Sequence, residues 1–224
     1  MNISEIHDFI DLITGKERGG FNTPAEKDQA LDRASLTLFR FYRKKYATEI
    51  EAKEALSPFR RKYDYTTNGT GEISISTGFD FAHLLAMDVM VNDPNTLSGF
   101  DANRRYDVTF PNEDELARRR NSQTDPPTRT APIADIVNIA WYNLYPQVVH
   151  AGTIYYLKRP AKPIYGYTQS GRTITYNPNT STQLEWTEPY QNDVIFLALR
   201  FLGINLDNEK LNQVMSQFLA ESNG

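Results

Sequence analysis

The side chains best suited to acid–base or metal chemistry in this chain are three histidines, His7, His83 and His150, and no cysteine accompanies them. The histidines stand far apart, and none has a second histidine or an acidic residue at the spacing that metal ligation needs. They read as structural or surface residues. Without cysteine there is no disulfide, thiolate metal site or thiol nucleophile. Serine and aspartate are plentiful, yet the chain has no Gly-x-Ser-x-Gly elbow, no His-Glu-x-x-His pair and no phosphate-binding P-loop. Glu113, Asp114 and Glu115 could imitate a paired-carboxylate site, but consecutive helix residues point in different directions, so a solvated face is the plainer reading. The expectation is a chain that is not an enzyme and takes no cofactor and no metal.

Residues that could make contacts are more prominent. Four basic clusters occur: Arg40 with Arg43, Lys44 and Lys45; Arg60, Arg61 and Lys62; Arg118, Arg119 and Arg120; and Lys158 and Arg159 with Lys162. For the first three, charge at helix C-termini and protection of a sheet edge are sufficient explanations. The fourth lies beside tyrosine and proline, residue types found at contact surfaces, and stays open between edge protection and docking on an acidic partner or nucleic acid. Tyr142, Tyr145, Tyr155, Tyr156, Tyr165, Tyr167 and Tyr176 are too many to bury on one small sheet, so some should be interfacial. The expected interface residues are Tyr155, Lys158, Arg159, Pro160, Lys162, Pro163 and Tyr165, with Pro126 and Pro127.

The elements that must position these residues follow from periodicity. Ile3, Ile6, Phe9, Ile10 and Ile13 predict a helix over 3–14 with Gly15 as its stop. Thr23, Pro24 and Glu26 form a capping box, predicting a helix to about residue 46 whose wide apolar face (Leu31, Ala34, Leu38, Phe41) suits two neighbours. Thr48 and Glu51 repeat the box, with Ile50, Ala55, Leu56 and Phe59 inward and a break at Pro58. From residue 63 the pattern turns to strands: Ile73 and Ile75 after a turn at 68–71, an apolar stretch over 84–91 leaning to strand, a loop over 92–105, and a strand over 106–110. Asn112 should start a short helix carrying acid first and Arg118 to Arg120 last. Residues 121–132, with Pro126 and Pro127, read as an extended, exposed arm.

The chain is organised around residues 133–186, which are β-branched and aromatic with Pro and Gly between, and predict three or four strands. Ser170-Gly171 should close a hairpin between 165–168 and 172–176. Helices over 190–202, ended by Gly203, and 206–219 complete a C-terminal helical hairpin. The fold class is therefore α+β: a helical N-terminal region and a C-terminal helical hairpin flanking a mainly antiparallel central sheet with long loops or arms. The expected organisation is a single domain over 1–224, with a helical region over 1–62, a β-rich region over 63–186 bearing the arm 121–132, and the hairpin over 187–224.

A chain of 224 residues can bury roughly 70% of its unfolded surface without a covalent staple. It has no apolar run of ~18 residues and no signal-peptide pattern at its start, which predicts no membrane partner and synthesis in a cytoplasm. A net charge of -4 argues against a surface that grips nucleic acid over its whole extent.

Three runs carry a resemblance: Tyr156-Leu157-Lys158-Arg159-Pro160-Ala161-Lys162-Pro163, then Leu184-Glu185-Trp186, then Leu199-Arg200-Phe201-Leu202-Gly203-Ile204-Asn205-Leu206. They resemble virion structural proteins of tailed bacteriophages of Bacteroidota, the head-to-tail connector (ring or adaptor) proteins of the crAss-like group, with the likeness spread over most of the chain beyond about residue 100. The resemblance implies a ring of identical subunits, a dodecamer, at the head-tail junction of the virion. It also implies contacts with the portal protein and other connector or tail proteins, and a channel through which genome DNA passes without sequence-specific binding. It transfers no catalytic residues. The alternative reading is a non-catalytic carbohydrate- or protein-binding module, which has no reason to close a ring.

Overall fold

The structure is a computed structural model that describes residues 1–18, 22–74, 80–92, 103–138, 141–171 and 173–204. In chain order, α1 (Ile3–Arg18), α2 (Pro24–Lys45) and α3 (Ile50–Ala55) precede β1 (Arg60–Thr66), β2 (Glu72–Ser74), β3 (Phe81–Asn92) and β4 (Asn103–Asp107). Then come α4 (Glu113–Arg120), β5 (Ile133–Asn138), β6 (Trp141–Tyr145) and β7 (Ala151–Lys158). The hairpin β8 (Tyr167–Ser170) and β9 (Thr173–Tyr176) leads to α5 (Glu188–Phe201). The fold is mixed helix and strand with mainly antiparallel sheets.

The chain forms two compact units, a helical unit (Met1–Pro58 with Pro160–Gly224) and a sheet unit (Phe59–Arg159). Their boundaries differ from the sequence-based divisions at 62 and 186. The β8–β9 hairpin groups with the helices, because residues 160–166 leave the sheet and bond into the helical unit, the Tyr165 amide donating to the Asp28 carboxylate on α2.

In the helical unit the capping box forms as expected. The Glu26 amide donates to Thr23 Oγ1 at 3.3 Å and the Thr23 amide to Glu26 Oε2 at 2.8 Å. The Thr23 amide, and after it the Thr23 hydroxyl donating to the same oxygen at 2.8 Å, hold the Glu26 carboxyl below the usual carboxylate range. Ala30, Leu31, Ala34, Leu38, Phe39, Phe41 and Tyr42 are buried along α2. The helix packs against α5, α3 and α1, one neighbour more than its apolar face predicts. Trp186 donates its indole N–H to the buried Ser35 Oγ at 2.8 Å. Helix α1 runs to Arg18 and does not stop at Gly15, since a glycine inside a helix costs only about 1 kcal/mol and tertiary packing of Ile3, Ile6 and Ile10 outweighs it.

The second capping box does not form. Glu49 stands at the cap of α3 without a side-chain bond, Thr48 Oγ1 donates back to the Lys45 carbonyl, and Ile50 is 75% exposed. Ala52, Ala55, Leu56 and Phe59 take the inward positions, and six residues offer only one such face. The β8–β9 hairpin forms with Gly171 at φ 63°, but Ser170 is the last residue of β8, opposite Thr173, and the first strand runs over 167–170, two residues beyond the expected 165–168. Helix α5 matches the first arm of the expected C-terminal hairpin, and the second, 206–219, lies outside the described residues.

The sheet unit has two antiparallel sheets, β1-β7-β3-β4 and β2-β6-β5, sharing one core. Tyr65, Met87, Val89, Ile154 and Tyr156 enter it from the first sheet, and Ile73, Ala134, Tyr142 and Leu144 from the second. Burial pushes the Tyr142 hydroxyl up to about 12. The expected strand over 106–110 is displaced towards the N-terminus. Tyr106 pairs with Val89, whereas Thr109 crosses to the start of β5, its amide donating to the Pro132 carbonyl. That crossing ties the two sheets together at one end. The first three residues of β4 lie in the expected 92–105 loop; residues 93–102 and Ile75 lie outside the described residues. The 121–132 segment is largely exposed, as expected, but is not extended. Ser122 Oγ accepts the amides of Thr124 and Asp125, Thr128 and Ala131 exchange backbone bonds, and Asp125 pairs with Arg119 at 3.4 Å. Turns close locally here because Ser and Thr side chains compete with solvent for the backbone.

Candidate functional site

The expected interface residues divide between the two units. Tyr155, Lys158 and Arg159 belong to the sheet unit; Pro160, Lys162, Pro163 and Tyr165 belong to the helical unit. Strand β7 lies between β1 and β3, so protection of a sheet edge is not the role of its basic end. Pro160 and Pro163 are buried within the chain, and the Ala161 amide between them donates to Glu185 Oε2 at 2.9 Å. They position the crossing segment and offer no contact surface, in contrast to their expected place at an interface. Lys162 is exposed. Tyr165 is half-buried, stacked on His7 at 4.6 Å with 14° between the rings; His7 in turn lies 3.0 Å from the Asp28 carboxylate. Pro127 lines a cavity of about 280 Å³ with Arg120, Asn121, Tyr145, Pro146 and Gln147, and Pro126 is exposed beside it.

Antiparallel pairing joins two basic clusters that lie far apart in sequence. Arg60 stands opposite Leu157 and Lys62 opposite Tyr155, so Arg60, Arg61 and Lys62 share one end of the sheet with Lys158 and Arg159. Residues directly opposite in an antiparallel pair share a face, which places Arg60, Lys62 and Tyr155 on the face away from the Ile154–Tyr156 core. Arg60, Lys62 and Arg159 are exposed, and the Arg60 guanidinium lies 5.9 Å from the half-buried Tyr155 ring. No local spacing could have found this juxtaposition, because it depends on the register of strands about ninety positions apart.

On the same face, further along the strands, a polar row spans all four strands of this sheet. Arg105 on β4 donates to both Asp88 carboxylate oxygens at 2.8 and 3.0 Å and to Thr153 Oγ1 at 2.9 Å; Thr153 Oγ1 donates to Asp64 on β1 at 2.7 Å. The Asp88 bond and charge raise the Arg105 pKa further. The row sets two carboxylates, Asp64 and Asp88, against the one guanidinium of Arg105, and the cations of the β1–β7 end stand outside it.

Helix α3 in the helical unit carries exposed Glu51 and Glu54 with Lys53 between them, while Glu49 at its cap pairs with Lys45 at 3.8 Å. Burial, followed by the Glu51 charge, raises the Asp193 carboxyl on α5 above its ordinary value. A carboxyl raised on folding contributes stability that is fully present below its unfolded pKa, about 3.9, and is lost as pH rises through the folded value. Asp193→Asn is therefore expected to stabilise the protein at neutral pH and to flatten the pH dependence above that range in urea titrations. A variant less stable than the parent at pH 7 would refute the assignment.

A third surface is apolar. A cleft of about 610 Å³ opens between the two sheets, lined by Phe81, Leu84, Leu85, Phe110, Ile136 and Tyr142. Beside it Ile136, Val137 and Trp141 are between two-fifths and one-half exposed. Among the described residues no helix is long and apolar enough to cross a membrane, and no group of three metal-ligating side chains is assembled. His7 and His150 are buried, the latter bonded through Nε2 to the Pro146 carbonyl at 2.8 Å, whereas His83 is exposed. No protein-family model and no curated protein matches the chain.

Proposed function

We propose that this chain is a structural, non-catalytic component of a tailed-phage virion: a ring-forming head-to-tail connector between portal and tail, made in the host cytoplasm, with genome DNA passing through the channel of the ring. The likeness of residues 156–163, 184–186 and 199–206 to crAss-like connector proteins supports the identity of the assembly. The observation that supports a subunit role is the apolar inter-sheet cleft with the exposed Ile136 in its lining, near the exposed Val137 and Trp141 on the same pair of strands. An open apolar cleft flanked by exposed large apolar side chains is the kind of surface a partner covers. A heterologous ring has unlike faces on each subunit, and this chain presents an apolar, a basic and an acidic surface.

Electron microscopy of the purified protein, alone and mixed with its portal, is the test. A closed ring, twelvefold by the resemblance, is the expected result; a monomer at every concentration that also fails to dock on the portal overturns the reading. Binding of a carbohydrate or peptide in the Phe81–Tyr142 cleft by such a monomer would favour the alternative, a binding module.

A further inference from the structure

We propose that the basic end of β1 and β7 in one copy docks on the acidic α3 face of a second copy, Arg60, Lys62 and Arg159 meeting Glu51 and Glu54. This contact rests on the reading of the chain as a self-assembling subunit, and names the two surfaces that meet. All five side chains are exposed, and none has an ion-pair partner among the described residues. Each surface therefore keeps its charge for an external partner. The chain as a whole is acidic at -4, so two copies repel at long range unless the basic end is the part presented.

Size and chemistry favour a protein surface as the occupant. Arg60 and Lys62 are two residues apart on one strand face, about 7 Å, and on α3 Glu51 and Glu54 are three apart, neighbours on one helix face. Each surface also has an apolar centre. Ile50, 75% exposed, is followed one turn on by Lys53 and Glu54, and the Tyr155 ring has the Arg60 guanidinium 5.9 Å away. An aliphatic side chain and an aromatic ring framed by complementary charge make the usual core and rim of a protein contact. A nucleic acid would use the cations and the ring but would leave Ile50 and the glutamates without a role.

Charge reversal tests this. Arg60→Glu, Lys62→Glu and Arg159→Glu together should weaken self-association, read by sedimentation velocity, by more than roughly tenfold. Glu51→Lys with Glu54→Lys should do the same. A mixture of the two reversed proteins, and a chain carrying all five changes, should recover association to within roughly threefold of the parent. Circular dichroism checks each fold, and the milder Arg60→Gln, Lys62→Gln and Arg159→Gln set should give a smaller weakening in the same direction if a reversed protein fails to fold. Reversed proteins that associate like the parent overturn the contact while leaving a ring, if microscopy finds one, intact. Weakened binding of a short duplex DNA without weakened self-association also overturns it, and assigns the basic end to nucleic acid. Association through these charges into open chains upholds the contact and rejects the ring.

Discussion

Gly152→Ala is expected to destabilise the sheet unit by about 3 kcal/mol, at the upper end of the cost of overpacking a filled core. Gly152 lies on β7 between Tyr65 on β1 and Val89 on β3, and the Tyr65 ring crosses above it to donate its hydroxyl to the Asp88 carbonyl at 2.8 Å. A Cβ at position 152 would overlap that carbonyl oxygen and lie 2.7 Å from the Tyr65 oxygen. The carbonyl is backbone in the middle of β3, so its overlap is relieved only by shifting a strand, and the Tyr65 ring has to move as well. Moving the ring breaks a buried hydrogen bond. Burial, aided by the Asp88 charge, already raises the Tyr65 pKa, so the phenol stays neutral and donating across the ordinary pH range. Equilibrium urea unfolding with circular dichroism measures the loss. Gly152→Ala in a Tyr65→Leu background should cost less than in the parent, since some of the obstruction is gone. A cost below about 1 kcal/mol in the parent background would show that the strands yield easily and that Gly152 is not the reason Tyr65 reaches Asp88.

What the sequence made legible was local chemistry. The Thr23 capping box, the Asn112 cap of α4 and the Gly171 hairpin each depend on residues within four positions, and each forms. The same reasoning failed at Thr48, where an equally good box competes with a bond from Thr48 Oγ1 to Lys45 and with the burial of Ala52, Ala55 and Leu56. Tertiary packing decided between two locally acceptable starts. The contact surfaces were harder still. Pro160 and Pro163 look like guards of an exposed strand end, yet β7 is central and the prolines are buried where the chain passes from sheet to helices. The basic end of the sheet unit was visible only as two unrelated clusters. What unites them is the β1–β7 register, fixed by the alternation of Tyr63, Tyr65, Ile154 and Tyr156 towards the core.

That register gives the two faces of the sheet different characters. The inner face is closed by aromatic and aliphatic packing. The outer face carries the Asp64–Thr153–Asp88–Arg105 row across all four strands, and Arg60 and Lys62, nearer the start of β1, stand outside it. The row links the strands through side chains and so stiffens the sheet.

Asp88 is the residue on which that rigidity turns, and Asp88→Ala is expected to cost about 2 kcal/mol, the scale of leaving a buried donor without its acceptor. The carboxylate is buried, and it accepts the Thr153 amide at 3.0 Å as well as both Arg105 contacts. Alanine leaves that buried amide without its acceptor and frees a guanidinium that is half exposed. Arg105 can turn to solvent, but the Thr153 amide cannot, so most of the loss belongs to the backbone group. Asp88→Asn should cost less, because one oxygen remains for Thr153 while the charge facing Arg105 is gone. Arg105→Gln should cost no less than Asp88→Asn, since it leaves the buried Asp88 carboxylate without its counter-charge. Combining Asp88→Asn with Arg105→Gln should cost less than the sum of the two, the sign of a direct coupling. Hydrogen exchange adds the residue-level readout: the Thr153 amide should exchange faster in Asp88→Ala than in Arg105→Gln. Equal exchange in the two variants, with equal stability losses, would place the function of the pair in its charge alone and remove the Thr153 bond from the account.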